Sequence, residues 1–194
     1  MLNYLIKSII SGLLIALGGI AFLSSDDKII GSILFSIGLL SIIYLKQKLY
    51  TGCLCNITDS YNIETMIVVM MGNIIGTYIG ALIVLYSRLS NTLVEKAQKI
   101  VEAKSSDSFI SLLLMGILCE LCIFIAVLGS KHNILMIIFG VTVFVFCGFE
   151  HIVADFFYFF ISKSTRISWL FPVFLGNTIC GYVITYIYNK TSEE

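Results

Sequence analysis

Three ionisable residues lie within one of the most apolar stretches of the chain. The segment CGFEHIVADFF, residues 147–157, contains Glu150, His151 and Asp155. An ionised side chain at the centre of a bilayer costs about 2.5–3.5 kcal/mol on insertion scales, so intramembrane ionisable residues usually have functional or mutually paired roles. An imidazole with a pKa of about 6.5 exchanges a proton close to neutral pH. His151 therefore predicts proton exchange, and the alternative is a neutral histidine that bonds a helix carbonyl.

Other residues of the apolar segments add hydrogen-bonding groups and bulk. Thr51 and Asn177 are able to bind a small solute or to tie a broken helix together, although threonine and asparagine also cross-link membrane helices. Glu120 is a further ionisable residue inside an apolar stretch. Three large apolar side chains either form dewetting constrictions or are ordinary core residues: Phe35, Leu39 and Phe144.

The composition indicates the elements that position these residues. The chain of 194 residues is 58% hydrophobic and 12% charged, whereas soluble domains are roughly 45–50% apolar and 25% charged. A hydrocarbon core about 30 Å thick is crossed by a helix of about 20 apolar residues. The sequence predicts an all-α integral membrane protein with six transmembrane helices, at about residues 5–24, 30–50, 64–87, 108–129, 133–161 and 169–188.

The longest connection joins the third and fourth predicted spans. Its sequence, SRLSNTLVEKAQKIVEAKSSDS at residues 87–108, places apolar residues at helical spacing among charges. This pattern favours a short amphipathic helix at the membrane interface, and a plain solvated linker is the alternative. The apolar positions are Leu93, Ala97, Ile100 and Val101.

The two halves of the chain contain related segments. MMGNIIGTYIGA at residues 70–81 resembles FLGNTICGYVIT at residues 174–185. Three helices followed by three related helices cross the membrane in opposite directions, which is an inverted repeat. We therefore predict one transmembrane domain over residues 1–194, with repeat one at about 1–87, an interfacial linker at 88–107 and repeat two at about 108–194. Helices two and five are expected to break at residues 49–52 and 148–151.

Several functional classes find little support. Twelve basic and twelve acidic residues cancel, so no electrostatic footprint for nucleic acid is present. A metal-dependent membrane enzyme remains an alternative because acidic residues flank a histidine, but the H-E-x-x-H pattern is absent. The cysteine pairs at residues 53/55 and 119/122 have no second histidine nearby in sequence. We expect no metal, no cofactor and no enzymatic activity.

Four motifs together resemble those of the formate/nitrite transporter family. Gly148-Phe-Glu-His-Ile-Val-Ala-Asp155 is similar to the family's fifth-helix pattern G-F-E-H-S-[VI]-A-N, and Leu49-Tyr-Thr-Gly52 is similar to L-F-T-G. Gly116-Ile-Leu-Cys-Glu120 is similar to G-I-L-C-N. Pro172-Val-Phe-Leu-Gly-Asn177, followed by Gly181, is similar to P-V-x-L-G-N-x-x-x-G. The motifs occur in the family's order and cover most of the chain.

This resemblance implies an aquaporin-like protomer in a homopentamer that passes small monovalent anions such as formate, nitrite, hydrosulfide or lactate. It implies that His151 is the central pore histidine, that Thr51 faces it, and that Lys104 lies near a vestibule. It also implies one constriction of Phe35 and Phe144 and another of Leu39, Leu49 and Tyr50, with support from Asn177. Protons are the expected second partner, because His151 would protonate the anion transiently.

The sequence departs from the family pattern at three charged positions. Glu120 and Asp155 replace asparagines, and Lys48 replaces an acidic residue. We hypothesise that Glu120 pairs with Lys48, that Asp155 orients the His151 ring from one helical turn away, and that ionised Glu150 and Asp155 favour its protonated form.

The protein is expected to lie in the cell membrane, and two alternative functions remain open. The resemblance implies a multi-pass protein of the cell membrane with both termini in the cytoplasm, whereas the count of lysines and arginines in the loops mildly opposes this orientation. A cation or ammonium channel of the same architecture remains an alternative because of Glu120 and Asp155. A purely structural helical bundle is the other.

Overall fold

Every regular element in the described part of the chain is an α-helix. The computed structural model describes residues 1–55 and 62–191, and the predicted all-α class is confirmed. Residues 56–61 and 192–194, which the predicted repeats include, lie outside the described residues. The helices are α1 (Leu2–Ser24), α2 (Lys28–Phe35), α3 (Ile37–Tyr44), α4 (Tyr50–Leu54), α5 (Ile63–Leu85), α6 (Ser90–Ser105), α7 (Phe109–Gly129), α8 (Leu135–Cys147), α9 (Ile152–Ser162) and α10 (Leu170–Thr191).

Four of these helices are long and apolar enough to cross a membrane. They are α1, α5, α7 and α10, and the bent pair of α8 and α9 makes a fifth when it is counted as one span. The protein is therefore a multi-pass membrane protein. The number differs from the six predicted spans because the segment predicted at residues 30–50 forms the short helices α2 and α3, which end at Tyr44.

Two irregular segments interrupt the helical structure near the centre of the protein. α8 ends at Cys147, and Gly148 adopts a left-handed conformation with φ of 76°, which glycine tolerates because it has no Cβ. The chain bends by 51° before α9 begins at Ile152. Between α3 and α4, residues 45–49 are likewise non-helical. Both segments present backbone groups that need partners inside the protein.

Glycines allow two pairs of long helices to pack closely. α1 packs against α5, and α7 packs against α10. A Cβ on Gly76 would overlap the carbonyl oxygen of Ile9, and a Cβ on Gly176 would overlap the carbonyl oxygen of Leu113. Small residues at such positions let the helix backbones approach each other.

The amphipathic helix predicted in the long connection is present as α6, so the solvated-linker alternative is wrong. Its apolar face buries Leu93, Ala97 and Val101, and the helix packs against α9. The Lys96 ammonium donates to the carbonyl oxygen of Leu23 at 2.9 Å, at the end of α1. These contacts fix the helix that presents Lys104.

Candidate functional site

His151 lies at the break between α8 and α9, and each of its ring nitrogens takes part in a hydrogen bond. It is the N-cap of α9 and is 2% exposed. Its Nδ1 accepts the backbone N–H of Ala154 at 3.2 Å, and its Nε2 lies 2.9 Å from the Thr51 hydroxyl oxygen. Because Nδ1 accepts a hydrogen bond, we assign the proton of the neutral imidazole to Nε2, where it is donated to Thr51.

The predicted partner Thr51 therefore meets His151 across 100 residues of sequence. Thr51 belongs to α4 and is fully buried. The two irregular segments of the chain therefore lie close together, and residues next to them share one hydrogen bond.

Asn177 of α10 supports the segment that carries His151. Its side-chain oxygen accepts the backbone N–H of Ile152 at 2.9 Å. Its amide nitrogen donates to the carbonyl oxygens of Gly116 and Glu150, at 2.7 and 3.0 Å. Asn177 is fully buried, so it satisfies backbone groups that water does not reach.

Asn73 of α5 makes the equivalent set of hydrogen bonds at the other break. Its side-chain oxygen accepts the backbone N–H of Tyr50 at 2.8 Å, and its amide nitrogen donates to the carbonyl oxygens of Ser8 and Lys48, at 2.8 and 2.9 Å. Asn73 was not among the predicted site residues. The signal that identifies it is its place in the repeated Gly-Asn pair, where it corresponds to Asn177.

Lys104 joins the two carboxylates beside His151. Its ammonium contacts Glu150 and lies 2.6 Å from the Asp155 carboxylate, and it is 5.8 and 5.7 Å from the ring centroids of Tyr158 and Trp169. Burial alone would lower the pKa of Lys104, but the carboxylates of Asp155 and Glu150 outweigh burial and raise it above its ordinary value. Lys104 is therefore a permanent cation.

This cluster corrects two expectations about His151. Its ring is positioned by the N–H of Ala154, while the Asp155 carboxylate bonds Lys104. Because the Lys104 ammonium contacts both carboxylates, their charges do not act on the imidazole alone.

One cavity contains His151, Lys104 and Asp155, and we call it the histidine cavity. It has a volume of about 210 Å³ and is also lined by Phe35 and Phe144. The two phenylalanine rings meet edge to face with centroids 5.8 Å apart, and Phe144 stacks on His151 at 5.6 Å. The residues predicted for one constriction therefore surround the polar centre.

A second cavity, the lysine cavity, has a volume of about 360 Å³ and is lined by Leu39 and Leu49 of the other predicted constriction. Three lysines line it as well: Lys46, Lys48 and Lys131. No carboxylate of the described residues contributes to its wall. Of these three lysines, only Lys48 was among the predicted site residues, because lysines of separate loops meet only after folding.

Tyr50 is a correction to the predicted constriction. It does not line the lysine cavity, although Leu49 and Gly52 on either side do. Its ring stacks on Phe174 with centroids 5.7 Å apart, and its hydroxyl lies 2.9 Å from that of Thr178. Tyr50 therefore anchors α4 to α10.

Glu120 and Lys48 do not form the hypothesised pair. Glu120 is fully buried, and its Oε1 accepts the Cys55 thiol at 3.6 Å, while its Oε2 has no hydrogen-bond partner in the described residues. The Lys48 ammonium lies 5.5 Å from the centroid of the Tyr4 ring. The two residues face different surroundings, so charge compensation in the sequence did not mean contact in space.

We expect the effects of Lys48→Gln and Glu120→Gln on stability to be additive. Contacting residues show coupling of about 0.5–3 kcal/mol, whereas independent sites add to within about 0.3–0.5 kcal/mol. Free energies of unfolding of the two single variants and the double variant in mixed micelles measure the coupling. A coupling above about 1 kcal/mol would show that the pair forms after all.

A family model described as "Formate/nitrite transporter" matches residues 1–190. The chain belongs to the formate/nitrite transporter family. The resemblance seen in the motifs is confirmed, and membership of a transporter family sets aside the membrane-enzyme alternative. No protein in a search of curated sequences matches the chain.

Two solved structures share the fold of this formate/nitrite transporter family member. One, described as "Pentameric formate channel with formate bound", aligns with a TM-score of 0.82 at 19% identity and covers 99% of this chain and 97% of that chain. The other, described as "FNT family ion channel", aligns with a TM-score of 0.82 at 21% identity and covers 98% and 90%. At these identities the likeness establishes the fold.

Proposed function

We propose that the protein is a membrane channel or transporter for small monovalent weak-acid anions, namely formate, nitrite or hydrosulfide. The observation that carries the proposal is the contact between Thr51 and His151. His151 lines the histidine cavity, and Leu49 and Gly52, which flank Thr51, line the lysine cavity. A solute that passes from one cavity to the other meets this pair.

The apolar walls favour an uncharged solute at this level. Phe35 and Phe144 line the path on one side, and Leu39 and Leu49 line it on the other. A bare anion loses its hydration there at a cost of many kcal/mol, whereas its neutral acid loses far less. The anion is therefore protonated transiently while it passes His151 and is released as an anion beyond it.

Positive charge favours anions in the lysine cavity. Lys46, Lys48 and Lys131 line it, and no carboxylate of the described residues does, whereas Lys28 and Lys104 line the histidine cavity together with Asp155. A cavity lined by one sign of charge raises the local concentration of the opposite ion. These lysines favour an anion channel over a cation or ammonium channel.

The role of His151 is a transient one. A standing imidazolium would place an Nδ1–H against the N–H of Ala154, two donors face to face, and the present bond of 3.2 Å would be lost. The neutral ring offers its Nε2–H to the solute in place of Thr51. The ring gains a second proton only if the bond from Ala154 to Nδ1 breaks, so any protonation of the ring is confined to the passage of the solute.

The proposed architecture is an aquaporin-like inverted repeat of three plus three helices in a homopentamer, with both termini in the cytoplasm. Matching hydrogen bonds of Asn73 and Asn177 and matching glycine contacts of the two helix pairs support the repeat. The likeness to a structure described as a pentameric formate channel supports the assembly.

His151→Phe tests this function in liposomes. We expect the flux of formate, nitrite and hydrosulfide to fall at least about tenfold, because the loss of one strong hydrogen bond costs about 1.4 kcal/mol or more. Stopped-flow measurements at two pH values, with ammonium as the cation control, provide the readout.

Tyr86→Phe is the matched control, because Tyr86 is 90% exposed and lines neither cavity. A His151→Phe protein that keeps the wild-type flux would remove the histidine from the mechanism. Passage of ammonium but not of any anion would establish the cation-channel alternative.

A further inference from the structure

The cluster beside His151 contains more negative than positive groups. The Lys104 ammonium is the one cation in contact with it among the described residues, and it contacts both Glu150 and Asp155. The side chains of these carboxylates are 7% and 1% exposed. With both carboxylates ionised, the cluster carries one net negative charge.

The geometry leaves one oxygen of this cluster without a partner. Asp155 Oδ1 bonds Lys104 at 2.6 Å, but Asp155 Oδ2 has no hydrogen-bond partner in the described part of the chain. A buried charge without compensation is strongly unfavourable, and a carboxylate in this position neutralises by taking up a proton. Asp155 also lines the histidine cavity, so a proton on it is within reach of the transport path.

We propose that Asp155 holds a proton in the resting protein, so that Lys104, Glu150 and Asp155 together form a neutral proton store for the histidine cavity. The role rests on the proposed function, because the store supplies the proton that the passing anion needs. This separates the proton source from His151, whose Nδ1 is occupied by the N–H of Ala154.

The proton transfer is balanced within the cavity. The O–H bond of Asp155 breaks, a new O–H, N–H or S–H bond forms on the anion, and the neutral acid moves past His151. The Asp155 carboxylate that remains, next to Lys104, regains a proton from water on the same side. Beyond the apolar layer, the acid loses its proton in the lysine cavity, so one proton crosses with each anion.

Other charged and titratable groups face Asp155 from the neighbouring elements. Lys28, Lys104, His151 and Tyr158 line the same cavity, Glu150 shares Lys104 with Asp155, and the Cys119 thiol of α7 lies close enough to interact with Asp155 electrostatically. Lys28 lies 5.3 Å from the centroid of the Phe146 ring. The two lysines draw the anion to the cavity, and the pair of carboxylates retains the proton until the anion arrives.

Infrared difference spectroscopy tests the store directly through the carbonyl stretch of a protonated carboxylic acid. The full chain is reconstituted in lipid with Glu120→Gln as the background, because Glu120 is a second buried carboxyl that would add its own band. We expect one protonated-carboxyl band near neutral pH, which weakens when formate is added. Asp155→Asn and Glu150→Gln should each abolish the band, since either leaves a one-to-one pair with Lys104.

Glu102→Gln is the matched control, because Glu102 is an exposed carboxylate of the same helix as Lys104. It should keep both the band and the wild-type pH profile of flux. A background protein without a protonated-carboxyl band, or a band that persists in Asp155→Asn, would overturn the proposal. The band needs no transport to be observed, so a missing band with normal anion flux refutes the store alone, and a present band without flux refutes the proposed function alone.

Discussion

Lys104→Met is expected to destabilise the protein by about 3–5 kcal/mol, the usual cost of removing one partner from a buried ion pair. The change leaves Glu150 and Asp155 buried without the ammonium that contacts both. Methionine keeps much of the aliphatic volume of lysine, so the loss reports charge rather than packing. Anion flux should fall with it, because the histidine cavity loses a cation that attracts the solute.

The pH dependence of this effect has a definite sign. The carboxylates raise the pKa of Lys104 in the folded protein above that of the unfolded chain. Its contribution to stability is therefore complete below the unfolded pKa of about 10.4 and is lost only as pH rises through the higher folded value. The deficit of Lys104→Met should accordingly be present throughout the neutral range and shrink at acidic pH, where the carboxylates become protonated.

Denaturant titrations in mixed micelles measure this deficit, with Lys99→Met as the control. Lys99 lies on the same helix, its side chain is 72% exposed, and its pair with Glu95 is on the surface, so its loss should have no measurable effect. Adding Glu150→Gln and Asp155→Asn to Lys104→Met should restore most of the stability. Equal stabilities of the two lysine variants would show that the buried cluster is not held by charge.

The helices and the central polar residues were readable from the sequence because their signals are local. Long apolar segments and the glycine at residue 148 mark the spans and a break, and His151 and Thr51 lie in motifs specific to the family. The fold then brought these two residues to 2.9 Å. A polar side chain within an apolar segment is recognisable as a candidate site residue, because its burial in a membrane is unfavourable unless it has a partner or a function.

The partners of the buried charges were not readable in the same way. The sequence suggested that Glu120 and Lys48 compensate each other, but they do not meet. Asp155 and Glu150 are instead paired with Lys104 of the amphipathic helix α6, which is about fifty residues away in the sequence. Net charge restricts how many partners exist but not which residues meet. The contacts of Tyr50 were not predictable from the sequence either, because its partners Phe174 and Thr178 lie on α10 and meet it only in the folded chain.

Asn177→Leu and Asn73→Leu are each expected to destabilise the protein by about 2–5 kcal/mol. Each asparagine bonds one backbone N–H and one carbonyl oxygen of a break, and an unsatisfied buried group costs about 1–3 kcal/mol. For Asn177 these are the groups of Ile152 and Glu150, and for Asn73 they are those of Tyr50 and Lys48. The third bond of each reaches a carbonyl of a helix, which has an intrahelical partner and so loses less.

The aspartate variants resolve this cost into its parts. Asn177→Asp and Asn73→Asp should be protonated at this depth of burial, so each keeps the oxygen that accepts the N–H of the break and one of the two donated bonds, and both should fall between wild type and leucine. Asn91→Leu serves as the control, because Asn91 is an exposed residue of α6. Thermal unfolding in detergent ranks the five variants with the wild-type protein.

Equal losses at the two asparagines would also bear on the proposed inverted repeat. If the two breaks are copies of one device, each Asn→Leu change should cost about the same, because each removes one accepted and two donated hydrogen bonds. The double variant should then lose the sum of both, because the two asparagines have no bonded group in common. If Asn73→Leu proved as harmless as Asn91→Leu while Asn177→Leu unfolded the protein, the two halves would share a motif without sharing its function.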